Sequence, residues 1–179
     1  GEFISDEPEA ELIGVAYSSD SAEQGQLVIN DGTFNHTAGG GLFWDDNESG
    51  GQDNGSIEIN GGDFQATVGG NDDKPLTING GTFHEEVGGG LAGTEITDGE
   101  FDDEITGNTV VSGGVFALPV DEDLLSDDLK VQVNNAAADP DHPYSYSSTL
   151  DTEITEDTNI TLTSDVVGNF VIEEGKTLV

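Results

Sequence analysis

Leu76-Thr77-Ile78-Asn79-Gly80-Gly81-Thr82-Phe83, continued by His84-Glu85-Glu86-Val87-Gly88-Gly89, is the stretch from which the fold is read. Alternate aliphatics make a short β-prone run with one buried face, and the glycine pair that follows turns the chain sharply. A second short run then ends in Phe, and an aliphatic residue sits four positions beyond it. Five segments superpose on this template, starting at Leu27, Ile57, Leu76, Thr94 and Thr109. Their second apolar position holds Ile29, Ile59, Ile78, Ile96 and Val111, and five residues later come Phe34, Phe64, Phe83, Phe101 and Phe116. Ala38, Val68, Val87, Ile105 and Val120 follow four residues after each Phe. The position after the second aliphatic carries Asn30, Asn60 and Asn79, which reads as an internal amide ladder, with Asp98 and Ser112 assigned to it in the last two segments.

No helix survives that glycine density, and no single unit can bury its Ile, Phe and Val alone. Stacked in register, the units place like on like. The expectation is an all-β chain folded as a single-stranded parallel β-helix, a β-solenoid with coils of about 15–19 residues at about 4.8 Å spacing. Residues 25–120 supply about five such coils, on the repeat count of solenoids. Residues 1–24 read as a cloning scar (Gly1-Glu2-Phe3) and an N-terminal cap, 121–150 as a connector or cap, and 151–179 as the start of a further β-helical module.

The same residues resemble the repeats of right-handed, pectate-lyase-like β-helices in large surface proteins of Gram-positive bacteria. The asparagine column resembles the ladder of that fold, and Asn159 to Val179 looks like the opening turn of a neighbouring module. Right-handedness is implied by the resemblance alone, since spacing leaves both hands open. It also implies a place outside the cell, on its surface, and a non-enzymatic spacer or adhesin that displays loops on a rod. Lyases of that fold commonly use an arginine or lysine base beside calcium-binding aspartates. This chain has no arginine, and Lys74 lies among carboxylates that favour its charged form, against the need of a base. The alternative is a carbohydrate-binding unit or a carbohydrate-active enzyme of the polysaccharide lyase type.

Charge narrows the partners. Against 38 Asp and Glu stand three Lys, a formal charge of −35 over 179 residues, so a basic face for nucleic acid is excluded. There is no cysteine for a disulfide or thiolate, and no apolar run long enough to insert in a membrane. The expected partners are a glycan or a host surface protein. No cofactor is required. Calcium is the one metal with a candidate loop: Asp45, Asn47, Ser49 and Asp53 follow the first part of a calcium-loop pattern, although position twelve is Ser56 where a bidentate Glu would stand. Stacking in register would also set Glu85 beside Asp103, a second and weaker cation candidate, and Asp102 next to His84. The three histidines His36, His84 and His142 show no metal-ligand spacing and read as exposed polar positions. Phe43 and Trp44, with Tyr144 and Tyr146 in the connector, are candidate platforms for stacking on sugar rings.

Overall fold

The computed structural model describes residues 1–5, 13–14, 26–36, 43–44, 56–69, 75–129, 131–134, 136, 139–147, 152–154, 159–162, 170–172, 174–177 and 179. Its strands are short, as the glycine pairs require. They run β1 (Glu2–Ser5), β2 (Ile13–Gly14), β3 (Gln26–Ile29), β4 (Thr33–His36), β5 (Phe43–Trp44), β6 (Ser56–Ile59), β7 (Asp63–Phe64), β8 (Val68–Gly69), β9 (Leu76–Ile78) and β10 (Thr82–Phe83). Then come β11 (Val87–Ile96), β12 (Glu100–Phe101), β13 (Ile105–Val111), β14 (Val115–Phe116), a 3-10 turn (Glu122–Leu124), β15 (Val131–Asn134), β16 (Tyr144–Ser147), β17 (Thr152–Ile154), β18 (Asn159–Leu162) and β19 (Phe170–Ile172).

Two sheets hold most of these. The larger has nine strands in the order β1-β4-β7-β10-β12-β14-β16-β15-β18; the smaller has six, β13-β11-β9-β6-β3 with β8 beside β11. Corresponding positions of successive repeats pair parallel and in register. Phe64 lies opposite Phe34 and Phe83, Phe101 opposite Phe83 and Phe116, and Ile59 opposite Ile29 and Ile78. The rings consequently stack face to face, with centroids 4.8–5.0 Å apart from Phe3 through Phe34, Phe64, Phe83 and Phe101 to Phe116. Phe3 is the outermost member, and the Thr33 N–H donates to the Gly1 carbonyl at 2.9 Å.

The turn between the sheets is paired as regularly as the strands. Asn60 N–H donates to Ile29 O, Asn79 N–H to Ile59 O, Thr97 N–H to Ile78 O and Ser112 N–H to Ile96 O. Asn60 Nδ2 donates to Asn30 Oδ1 and Asn79 Nδ2 to Asn60 Oδ1 at 3.0–3.1 Å, and the Thr97 hydroxyl continues onto Asn79 Oδ1. The fourth member is Thr97 and not Asp98, which instead accepts the Gly99 N–H, and the column is exposed and not internal.

The architecture departs from the expected single-stranded, right-handed parallel β-solenoid. The runs beginning at Val68, Val87 and Ile105 do not build a third sheet. β11 and β13 pass unbroken from these runs into the six-stranded sheet, with a register shift between Gly89 and Thr94. Small residues let the strand bend there without ending. At Phe116 the parallel order stops as well: β16 pairs antiparallel with β14, then β15 with β16 and β18 with β15. Two sheets thus pack on one aromatic and aliphatic core, one of them curling as a half-barrel. Neither the solenoid nor the resemblance to pectate-lyase-like helices stands, and the rod-like spacer or adhesin that rested on them falls too.

The core is Ile59, Phe64, Val68, Ile78, Phe83, Val87, Ile96, Phe101, Val111 and Phe116, each at most 1% exposed. Thr94 and Thr109 replace the aliphatics of the Leu27-Ile57-Leu76 position. Thr109 satisfies its hydroxyl on Thr106 O at 2.6 Å.

Candidate functional site

The non-repeating end of the core builds a concave feature among the described residues. After β14 the chain leaves the pattern at Leu118-Pro119-Val120, and proline there removes a donor from any further ladder. Asp121 then caps the 3-10 turn by accepting the Asp123 N–H at 3.2 Å, while Leu124 N–H and Leu125 N–H donate to Asp121 O and Glu122 O. Leu125 bridges to Val111, and the Ser126 N–H donates to Val111 O at 2.8 Å, fixing the turn against β13. Between them lies a cleft of about 870 Å³, lined by Glu104 to Gly107, Leu118 to Leu124 and Gln132.

Its lining mixes apolar and acidic side chains. Ile105, Leu118, Pro119, Val120 and Leu124 give apolar surface; Glu104, Asp121, Glu122 and Asp123 give carboxylates; Thr106 and Gln132 add a hydroxyl and an amide. The volume falls in the usual range for small-ligand sites. No lysine or histidine is among the lining residues. The cleft therefore repels anions.

Tyr146 holds Val120, one of the lining residues, in place. Its hydroxyl oxygen accepts the Val120 N–H at 2.8 Å, and its ring meets Phe116 edge to face at 5.8 Å. Burial pushes the phenol above its usual value of about 10, further than the hydrogen bonds with Val120 and Gln132 pull it down. A raised value means that the folded state holds this proton more tightly, so the contribution is complete below about pH 10 and disappears as pH rises through the folded value. Base-induced unfolding is expected to begin near pH 10, and Tyr146→Phe should flatten that limb while costing about 1 kcal/mol at pH 7 through the orphaned Val120 N–H. Chemical denaturation at pH 7, 9, 10 and 11 checks both.

A polar chain crosses the outer face of the nine-stranded sheet. Asn35 Nδ2 donates to Gln65 Oε1, and Gln65 Nε2 to Asp63 Oδ1. His84 follows, with Nε2 at 3.4 Å from Asp63 Oδ1 and Nδ1 at 2.5 Å from Asp102 Oδ2. Asp102 Oδ1 lies 2.7 Å from His142 Nε2, and the His142 N–H donates to Asp139 Oδ1. Burial pushes the Asp102 carboxyl up, but the hydrogen bonds and charge of His84 and His142 outweigh it and hold the group below the usual carboxylate range. Its stabilisation is present above about pH 4, the unfolded value, and is lost as pH falls through the folded one.

Of the residues singled out from sequence, Asp45, Asn47, Ser49 and Asp53 lie outside the described residues. Phe43 and Trp44 form β5, paired parallel with β2; their side chains are outside the described set. Tyr144 and Tyr146 sit in β16, half-buried against the core. Asp103 Oδ1 accepts the Glu104 N–H, and no group of three or more metal-ligating side chains occurs among the described residues. The pairing of Asp102 with His84 follows from the register. Missing from the sequence reading are the cleft itself and the link from Asp102 to His142. Pro119 and the Asp121 cap were the available signals for the cleft, and nothing local marked the link.

No protein-family model, curated protein or solved structure matches this chain. No helix among the described residues is long and apolar enough to cross a membrane.

Proposed function

We propose that the chain is a carbohydrate-binding domain that takes a neutral oligosaccharide into the cleft between β13 and the Glu122–Leu124 turn. The observation that carries this reading is the composition of that cleft, whose lining combines apolar side chains with carboxylates, a hydroxyl and an amide. Sugar rings present the matching chemistry, C–H faces for the apolar side chains and hydroxyls that donate to carboxylates and accept from the amide. Four carboxylates without a lining cation disfavour polyuronates, and with them a lyase acting on acidic polymers. The proposed role is retention of the sugar without cleavage, in an extracellular setting where polymeric glycans are met. Carboxylates in one cleft favour a second reading, glycoside hydrolysis by an acid and base pair, which needs a pair about 5–9.5 Å apart across the bound bond. Calcium is proposed only for Asp45, Asn47, Ser49 and Asp53, and not for the cleft.

Calorimetric titration with cellohexaose, xylohexaose and polygalacturonate tests the reading, with reducing-end release measured in parallel. The neutral hexasaccharides should bind and polygalacturonate should not. Glu104→Gln combined with Asp121→Asn should weaken binding at least tenfold, about 1.4 kcal/mol, with the melting temperature unchanged. Binding of polygalacturonate alone would overturn the proposal, and release of reducing ends would replace it with the hydrolase.

A further inference from the structure

We infer that, among oligosaccharides, the cleft prefers one whose rings carry a protonated amine over its neutral counterpart, the fitting class being oligomers of 2-amino-2-deoxyglucose. This preference rests on the sugar-binding reading of the cleft and names the sugar within it. Hydrogen-bond donors in the lining are largely spent. Pro119 has no N–H, and the Val120 N–H is taken by the Tyr146 hydroxyl. The Glu104 N–H goes to Asp103 Oδ1, and the N–H groups of Asp123 and Leu124 go to Asp121. The Thr106 hydroxyl donates to Glu86 Oε1 at 2.6 Å, so toward a ligand it can only accept. The Gln132 amide is shared with the Tyr146 hydroxyl.

Acceptors are in surplus. Among the described residues no hydrogen bond or ion pair engages the carboxylates of Glu104, Glu122 and Asp123, and Asp121 adds a fourth to the lining. A sugar hydroxyl donates one proton but brings two lone pairs that want donors in turn, and each one left unmatched on burial costs affinity. An ammonium brings three N–H groups, a positive charge and no lone pair. Its hydrogen bonds to carboxylates are charge-assisted, about twice as strong as neutral ones. No lysine or histidine in the lining competes for those carboxylates. N-acetylation reverses the gain, because the amide is uncharged and its carbonyl adds one more acceptor. Apolar side chains such as Ile105, Leu118 and Leu124 still meet the ring faces, which distinguishes an amino sugar from a bare polyamine.

Calorimetric titration of the whole protein at pH 5.5 in 0.15 M sodium chloride tests this with three β-1,4 hexasaccharides that differ only at C2. Cellohexaose carries a hydroxyl there, the glucosamine hexamer a protonated amine and the N-acetylglucosamine hexamer an amide. The glucosamine hexamer should bind at least tenfold more tightly than cellohexaose, and the N-acetylated one no more tightly than cellohexaose. Glu104→Gln combined with Glu122→Gln should bring the preference below threefold. Glu58→Gln combined with Glu95→Gln removes the same charge from the outer face of the six-stranded sheet, where both residues flank Thr77, and should leave the preference intact. Cellohexaose binding with no preference for the amine overturns the inference and leaves the sugar site standing. A preference that survives Glu104→Gln with Glu122→Gln, or spermine binding as tightly as the glucosamine hexamer, shows attraction to net charge alone and overturns it as well. Failure of all three hexasaccharides to bind overturns the sugar-binding reading itself, and the preference with it.

Discussion

Phe83→Ala is expected to lower stability by about 3–5 kcal/mol, the cost of emptying an aromatic site in a close-packed core. Phe83 is fully buried, stacked between Phe64 at 4.8 Å and Phe101 at 4.9 Å. Collapse cannot fill the gap, because the rings on both sides are carried by strands whose spacing is fixed by backbone hydrogen bonds. Loss on this scale consumes most of the about 5–15 kcal/mol by which a domain is usually stable. Phe83→Leu keeps much of the volume and should cost less than half as much. Urea denaturation followed by circular dichroism gives both values. An alanine penalty below 1 kcal/mol would mean that the ring column does not organise the core.

The second large effect comes from a residue with no side chain. Gly69 has φ of +96°, and a Cβ placed on it would lie 1.5 Å from the carbonyl oxygen of Gly88 on the adjacent strand. Relief would require β8 and β11 to separate, breaking the pairing of Val68 with Val87 and of Gly69 with Gly88. Gly69→Ala should therefore cost at least about 3 kcal/mol, the range of a severe backbone or core lesion. Gly175→Ala is the control. That residue has φ of +90° with nothing within 4 Å of the added carbon, so it reports the left-handed strain alone, about 1–2 kcal/mol. The difference between the two melting temperatures measures the close approach of the strands.

What could be read in the sequence was whatever repeats. Phe34, Phe64, Phe83, Phe101 and Phe116 recur at one place in a template, and matching residues brought into register must meet, so the ring column and the proximity of Asp102 to His84 follow from alignment. Sheet count did not follow. Val87 and Ile105 look like the start of separate strands, but glycines at 88, 89 and 107 bend the chain without ending its hydrogen bonding, and the run merges with the next. Thr97 directly follows Ile96, so the template itself places it in the asparagine column, where its hydroxyl donates to Asn79 Oδ1; Asp98 lies one position beyond.

The cleft was illegible for a different reason. Leu118 to Leu124, Gln132 and Tyr146 belong to no repeat, and their association depends on β16 reversing direction against β14. His142 reaches Asp102 across 40 residues by that same reversal. Local pattern carries no record of such a return. The stretch Asp121-Glu122-Asp123-Leu124 could be recognised as a short helical or looped excursion, and the cap at Asp121 explains why, but not what it would face.

Titration of the isotope-labelled protein with cellohexaose, followed by amide chemical shifts, tests the sugar site most directly. Saturable changes are expected at Glu104 to Gly107, Leu118 to Leu124 and Gln132, with the outer face of the six-stranded sheet unmoved. Saturable changes confined to other surfaces, or none at millimolar sugar, would contradict it.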